Sequence, residues 1–288
     1  MTRKSALVFS LSAMALLCGQ TRFSFRESEP GSLALLEDGR TVFVYNYGLM
    51  RRAGVPEDRF RSSYIHPLNS PAGIPVTGDF PKDHYHHRGI SWMWPHVRVG
   101  NETADLWLLR GVRQEFVRWL RWEAGNGSAT LGVENGWFMK GRQVLAEQVE
   151  ITARATEGDR QVLDFVLRFE PASDPVEIGG ETADKKGYGG LCVRFAPREN
   201  TVITTSSGTE KDDTNMAPHG WAQLEGVYSS GKAALRIDID DSNPGFPNGW
   251  CLRHYGFLGV NFPGLERHTL TRGTTLVLRY RITVADLR

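Results

Sequence analysis

The 288-residue sequence lacks an excess of charge of either sign. Its 34 Lys and Arg residues stand against 33 Asp and Glu residues, which gives a formal net charge of +1 with the eight histidines neutral. A chain so close to neutrality has no strong electrostatic field to attract a polyanion. We therefore expect no nucleic-acid partner.

Long apolar runs are also scarce. The main one, Ser5 to Gly19, follows Arg3 and Lys4 and is too short to span a bilayer comfortably. This pattern is typical of a secretory signal peptide, which we predict over residues 1–20. We expect a secreted or periplasmic protein with no membrane span, folded as a single β-sandwich domain over residues 21–288.

Cysteine is rare, with three residues in the whole chain. Only Cys192 and Cys251 lie beyond the predicted signal peptide, so one disulfide at most can form. Each of the two lies in an apolar run that resembles a strand. Two buried free thiols are therefore an equally good interpretation, and the sequence leaves the choice open.

No long amphipathic helix pattern is found, and period-two alternation dominates instead. The clearest case is Thr274 to Val284, where apolar residues alternate with Arg and Thr. Such alternation indicates a strand with one buried face. The same pattern recurs at Leu163 to Phe169 and Leu235 to Ile239. We predict an all-β protein built as a large antiparallel β-sandwich.

Turn chemistry supports the same fold class. Near the start, Leu33 to Leu36 and Thr41 to Tyr47 flank an Asp38-Gly39 pair, which accepts the positive φ angles of a tight hairpin. Three segments do not alternate and are predicted to be functional loops, because their aromatic and histidine side chains can anchor them by packing. They are Pro67 to Trp94, Glu181 to Gly190 and Thr209 to Trp221.

Histidines are concentrated in the first of these loops. Five of the eight lie between positions 66 and 96, most densely in Asp83 to Gly89. In an extended segment His84 and His86 would share one face, with His87 on the other. Two imidazoles on one face can bind a divalent metal, act as acid and base, or hydrogen-bond a polyhydroxylated ligand. A metal site would need a third ligand, for which the candidates are His66, His219 and His254.

Tryptophans accompany the histidines. Trp92, Trp94 and Trp107 lie close by in sequence, and indole faces stack on the apolar faces of sugar rings. The mixture of indole, imidazole and charged groups predicts a saccharide pocket with Trp92 or Trp94 at its wall. Ordinary core packing is the alternative for each tryptophan taken alone.

Two later segments add cationic candidates. The glycine-rich loop from 185 to 190 presents Lys186 and Tyr188, without the following pattern that a nucleotide-binding loop requires. Arg253 and His254 interrupt an apolar stretch, so they need partners or a cavity. We expect these side chains to meet the early histidines in one pocket.

Several motifs taken together resemble the bacterial DUF6807 family, whose members are often labelled "methane oxygenase PmoA". The resemblance spans nearly the whole mature chain and is carried by Arg61 to Leu68, Phe80 to Gly89, Lys186 to Gly190, Asp213 to Met216, and Trp250 to Gly256. The label conflicts with the sequence, because a membrane monooxygenase subunit needs spanning segments that this chain does not have. The resemblance implies a sugar-binding supersandwich of the galactose mutarotase type and a role in carbohydrate metabolism.

The resulting hypothesis is an exported carbohydrate-active enzyme, a lyase, hydrolase or epimerase acting on a sugar or an oxidised glycoside. The alternatives are a non-catalytic sugar-binding module and a copper or other metal oxidoreductase, as the family label suggests. The sequence leaves a divalent metal at His84 and His86 open. The predicted catalytic residues are His66, His84, His86, Lys186 and His254. The predicted substrate-binding residues are Arg88, Trp92, Trp94, Tyr188 and Arg253.

Overall fold

A computed structural model describes residues 22–288, so the predicted signal peptide lies outside the described residues. Within this part of the chain the helical segments are two 3₁₀ turns, Glu57–Arg59 and Ala183–Lys185. The other regular elements are strands. In chain order they are β1 (Phe23–Glu29), β2 (Ser32–Glu37), β3 (Arg40–Asn46), β4 (Tyr64–Leu68), β5 (Ile90–Met93), β6 (His96–Val99), β7 (Glu102–Ala104), β8 (Arg113–Ala124), β9 (Ser128–Met139), β10 (Arg142–Arg154), β11 (Arg160–Pro171), β12 (Val176–Gly179), β13 (Gly190–Arg194), β14 (Glu199–Thr205), β15 (Gly208–Glu210), β16 (Thr214–Pro218), β17 (Trp221–Tyr228), β18 (Gly231–Ile239), β19 (Gly249–Arg253), β20 (Phe257–Asn261), β21 (Arg267–Leu270) and β22 (Leu276–Leu287).

The alternating segments form strands as the sequence predicts. The alternation from Thr274 to Val284 corresponds to β22, whose side chains are buried at every second position over most of its length. The opening hairpin joins β2 to β3, and Asp38 and Gly39 have φ angles of 50° and 79° at its turn. Asp and Gly tolerate this left-handed conformation, so the local sequence sets the register of the hairpin.

The strands form three antiparallel sheets. The first sheet has the order β1-β2-β3-β4-β5-β13-β20-β19-β16, and the second has the order β15-β14-β17-β18-β22-β11-β10-β9-β8. A four-stranded sheet, β21-β12-β6-β7, completes the fold. The two nine-stranded sheets confirm the predicted all-β antiparallel sandwich.

The core lies between the two large sheets. Buried apolar residues from both sheets form one continuous cluster. Contacts also cross directly between the sheets, because Asn135 on β9 donates a hydrogen bond to the Tyr45 hydroxyl on β3 at 2.9 Å. The opposite face of the first sheet is covered by loops around its central strands, and this face carries the candidate site. Among residues 22–288, no helix is long and apolar enough to cross a membrane.

Candidate functional site

A row of four small residues crosses the loop-covered face of the first sheet. Ser91 on β5 pairs with Cys192 on β13, which pairs with Gly259 on β20, which in turn pairs with Cys251 on β19. Directly opposed residues in antiparallel strands share a face. This small-residue row therefore lies beneath the loops and leaves the space above it to larger side chains.

The two thiols in this row are free and buried. Gly259 separates Cys192 from Cys251, so a strand lies between them and no disulfide joins them. Burial raises the pKa of Cys192 to about 12 and that of Cys251 to about 11. Both thiols are therefore protonated at neutral pH, which answers the question that the sequence left open.

Three imidazoles lie together over this face. The loop turns at this point, because the His84 amide donates to Pro81 O at 3.0 Å and the His87 amide donates to His84 O at 2.9 Å. The segment is therefore not extended, and His86 and His87 are close, with ring centroids 4.5 Å apart. The turn gathers all three rings instead of dividing them between two faces.

The imidazoles belong to a column of stacked rings. His84 stacks on Tyr255 at 5.7 Å and on His87 at 4.8 Å, with interplanar angles of 9° and 6°. His87 continues the column onto Phe257 at 4.9 Å. This stacking column ties the early histidine loop to the β19–β20 hairpin, which is distant in sequence.

Two of the imidazoles are held neutral. Burial, with smaller contributions from His84 and Arg61, lowers the pKa of His86 to about 3. Burial and the neighbouring His86 hold the pKa of His87 well below its usual value. At neutral pH these rings can exchange hydrogen bonds, but they do not provide positive charge.

His84 differs from these two because it has a carboxylate partner and an exposed edge. Its Nδ1 lies 3.0 Å from Asp83 Oδ2, and Arg194 Nη2 lies 2.9 Å from both Asp83 oxygens. Burial raises the pKa of Asp83, but the hydrogen bonds from His84 and Arg194 outweigh it and hold the pKa below its usual value. The His84 side chain is 41% exposed, and its Nε2 makes no hydrogen bond to residues 22–288. Such a pair can orient an imidazole for proton transfer.

His254 lies on the same side of the sheet and has a different environment. Its Nδ1 is 2.9 Å from Asp213 Oδ1, and its Nε2 is 3.3 Å from Glu210 O. Both ring nitrogens are thus engaged by the protein. The next residue, Tyr255, stacks on His84, so His254 fixes the segment that supports the stacking column.

The aromatic wall of the site is formed by the partly exposed Tyr188, with Trp107, which is 4% exposed, behind it. Their ring centroids are 4.6 Å apart, and Trp107 also lies 5.7 Å from His87 and 6.3 Å from His86. The sequence analysis predicts Trp92 or Trp94, and not Trp107, as the wall. The available signal was its place in a turn between two strands, where a side chain is free to cover a sheet face.

Trp92 and Trp94 are fully buried in the core. Trp92 pairs with Leu191 and shares its core-facing side of the sheet, while Trp94 packs against Trp137 and Phe169. The expectation that one of them forms the pocket wall is therefore wrong. Alternation along β5 and the next residue directs positions 92 and 94 away from the loops.

Arg88 and His66 form a separate cluster. Arg88 is fully buried and binds the Asp79 carboxylate and the Tyr64 hydroxyl. It therefore cannot reach a ligand, and its predicted substrate-binding role is wrong. His66 Nδ1 lies 3.1 Å from Thr77 Oγ1. Burial lowers the pKa of His66, and the charges that act on it are those of this same cluster. The structure thus groups His66 with Arg88.

Lys186 and Arg253 supply positive charge near the small-residue row, and both act electrostatically on Cys251. Lys186 Nζ lies 3.1 Å from Asp184 Oδ2. Arg253 donates to Asn215 Oδ1 at 2.5 Å and, through its other terminal nitrogen, to backbone carbonyls. These two cations, His84 and the aromatic wall therefore surround the same face.

The described part of the chain contains no group of three or more His, Cys, Asp or Glu side chains arranged to hold a metal ion. Each candidate third ligand has other neighbours. His66 contacts Thr77, His254 contacts Asp213, and His219 lies 3.2 Å from Ser207 Oγ.

The molecule is thus an all-β sandwich with a loop-covered, imidazole-rich face on its first sheet. Its chain belongs to the DUF6807 family, a family of unknown function, whose sequence profile matches residues 32–288. Comparison of the sequence with curated proteins gave no match.

The solved structures to which this chain is similar include sugar-active enzymes, all at low similarity. An α-galactosidase from Lactobacillus brevis is 11% identical with a TM-score of 0.45, over 93% of this chain and 39% of its own. An α-galactosidase from Geobacillus stearothermophilus is 11% identical with a TM-score of 0.41, over 92% of this chain and 40% of its own. Heparan sulfate lyase HepC from Pedobacter heparinus is 10% identical with a TM-score of 0.43, over 91% and 36%. The chain spans about two fifths of the length of these proteins.

Proposed function

We propose that this protein is an exported carbohydrate-active enzyme, a lyase, hydrolase or epimerase that acts on a sugar or an oxidised glycoside. The observation that carries the proposal is the Asp83–His84 pair, whose free Nε2 lies on the same loop-covered face as an aromatic wall. A saccharide has apolar C–H faces and a rim of hydroxyls, and this face offers a partner to each.

His84 is the proposed acid–base group. Asp83 accepts a hydrogen bond from Nδ1 and so fixes the tautomer that leaves Nε2 free for the substrate, while Arg194 holds Asp83 in place. Proton transfer by a positioned side chain of this kind contributes about 10²–10⁴-fold to a rate. The neutral ring of His86 can hydrogen-bond a substrate hydroxyl without competing for the proton.

The remaining groups bind rather than react in this proposal. Tyr188, supported from behind by the buried Trp107 ring, packs against the apolar face of the sugar ring. Lys186 and Arg253 bind its oxygen atoms, and His254 holds Tyr255 against the His84 ring.

The test is a turnover assay of the mature protein on a panel of neutral sugars, uronic acids and 3-keto-glycosides. NMR spectra of the substrate detect the reaction. We expect His84→Ala to lower kcat by about 10²–10⁴-fold on any substrate that is found, with a small change in KM. His268→Ala is the matched control, since His268 lies on β21 and packs against Phe262.

Two outcomes would count against the enzyme. Full turnover in His84→Ala would remove the acid–base role. Tight sugar binding by the wild type with no turnover on any substrate would favour a non-catalytic sugar-binding module.

A further inference from the structure

A buried polar chain runs behind the aromatic wall and has no part in the proposed chemistry. It begins at Arg61, which is 1% exposed. Arg61 Nη2 donates to two backbone carbonyls of the wall segment, Leu106 O at 2.5 Å and Trp107 O at 3.1 Å. An arginine thus holds the backbone on which the Trp107 ring is carried.

The chain continues into the centre of the sandwich. Arg61 Nη1 donates to Gln114 Oε1 at 3.3 Å, and Gln114 Nε2 donates to Glu147 Oε2 at 2.8 Å. The Glu147 carboxylate is buried and accepts two more hydrogen bonds, from Trp137 Nε1 at 2.7 Å and Asn135 Nδ2 at 2.8 Å. It is therefore fixed on several sides.

Gln114 links two opposite buried charges that do not touch. The described side chains give Arg61 no direct carboxylate partner, and its bonds are to carbonyl and amide oxygens. Burying a charge is costly unless it is compensated. The glutamine amide accepts from the arginine and donates to the Glu147 carboxyl group, so one side chain serves both buried groups beside their other hydrogen bonds.

The same network faces the imidazoles. The charge of Arg61 is among the influences that lower the pKa of His86 and of His87, after burial and their histidine neighbours. On its other side, the wall segment is held by the amides of Leu106 and Trp107, which donate to Trp94 O at 3.0 and 3.2 Å. The segment is thus held from both sides, by the core and by Arg61.

We propose that Arg61 is a positioning residue, held through Gln114 by Glu147, that sets the place of Trp107. Because Trp107 supports the Tyr188 ring, Arg61 thereby sets the affinity of the site for the apolar face of a sugar ring. The part that concerns sugar affinity rests on the proposed function. The part that concerns the place of Trp107 does not.

The first experiment reads Trp107 directly and needs no ligand. The protein is labelled with 5-fluorotryptophan, and the ¹⁹F signal of Trp107 is assigned by its loss in Trp107→Phe. We expect both Gln114→Leu and Arg61→Lys to shift and broaden this signal while that of Trp221 stays in place.

Gln161→Leu is the matched control. Gln161 is also a buried amide, 2% exposed, and it bonds Thr156 and the Arg154 carbonyl far from the wall segment. It should lose stability comparably in thermal unfolding while leaving the Trp107 signal unchanged. A Trp107 signal that stays in place in both Arg61→Lys and Gln114→Leu overturns the proposal.

The second experiment uses the saccharide found in the turnover panel. We expect Gln114→Leu to raise KM by about tenfold, equivalent to ~1.4 kcal/mol, with kcat within about twofold of the wild type. An unchanged KM with a shifted Trp107 signal would contradict the link to affinity. A shifted signal in a protein that binds no saccharide would refute the proposed function and leave the positioning role supported.

Discussion

The two large sheets present faces of opposite character away from the core. The second sheet carries a groove of about 790 Å³ over β11, β18 and β22. Several of its charges are paired with their neighbours, since Asp164 binds Arg154 at 2.6 Å and Arg281 at 2.7 Å. Arg236 pairs with Asp238 on the same strand. We call these residues the charge ladder.

The loop-covered face of the first sheet differs, because not all of its titratable groups are paired with opposite charges in this way. It holds two imidazoles that burial keeps neutral, and a third, His84, with a free nitrogen. Perturbed titratable groups tend to gather at functional sites, whereas paired surface charges mainly keep a face solvated. The state of the side chains, more than the size of a groove, is therefore the reason for placing the proposed site on the first sheet.

The largest effect expected from this contrast is loss of stability in acid. The pKa of His86 is about 3 in the folded protein and near 6.5 in the unfolded chain, so between these values the unfolded chain binds more protons. The free energy of unfolding should fall as the pH drops through this window, by about 2 kcal/mol at pH 5 from His86, and the lowered pKa of His87 acts in the same direction.

Urea unfolding at pH 7 and pH 5 measures this loss. His87→Phe should narrow the gap between the two pH values, because a phenyl ring can occupy the place between His84 and Phe257 without titrating. An equal gap in the variant and the wild type would show that His87 is not a source of the acid sensitivity.

A smaller effect is expected from adding one methyl group to each face. A Cβ on Gly259 would lie 2.8 Å from the Phe257 ring and 3.7 Å from Cys251 Cβ, beneath the stacking column. Gly259→Ala should lower the free energy of unfolding by about 1–3 kcal/mol, as overpacking does in tight sites.

Gly132→Ala on β9 is the control, because its nearest contact, at 3.1 Å, is the partly exposed side chain of Arg121. We expect it to change stability by less than about 0.5 kcal/mol. If thermal unfolding shows equal losses of stability in Gly259→Ala and Gly132→Ala, the small-residue row is no more tightly covered than the outer face of the second sheet.

The sequence predicted the fold better than the site because alternation reports which side of a strand is buried. It identified β11, β18 and β22, where polar residues mark the outer side. In β5 all four residues are buried, on both sides of the sheet. The one polar residue of this strand, Ser91, lies on the loop-covered side, so alternation places Trp92 on the core side. The proximity of Trp92 to the histidines in sequence was given more weight than this signal, so Trp92 was assigned to the wrong side.

The site also depends on contacts that spacing does not contain. A reading of the sequence can find the dense histidine cluster that contains His84 and His86. It cannot show that the turn after Pro81 gathers three imidazoles, or that Arg88 is buried and bound to Asp79. Trp107 becomes the wall because Arg61, 46 residues earlier, holds its backbone.

The smallest effect is expected at the charge ladder. Asp164→Asn removes the carboxylate that two arginines share, yet Arg154 and Arg281 are 57% and 52% exposed and remain solvated without it. Exposed ion pairs contribute about 0–1 kcal/mol and weaken with salt. We therefore expect Asp164→Asn to lower the free energy of unfolding by less than about 1 kcal/mol in low salt, and by less still in 1 M NaCl. Urea unfolding at both salt concentrations tests this, with turnover or sugar binding measured beside it. A loss of activity at unchanged stability would place a functional group on the second sheet and reverse the assignment of the two faces.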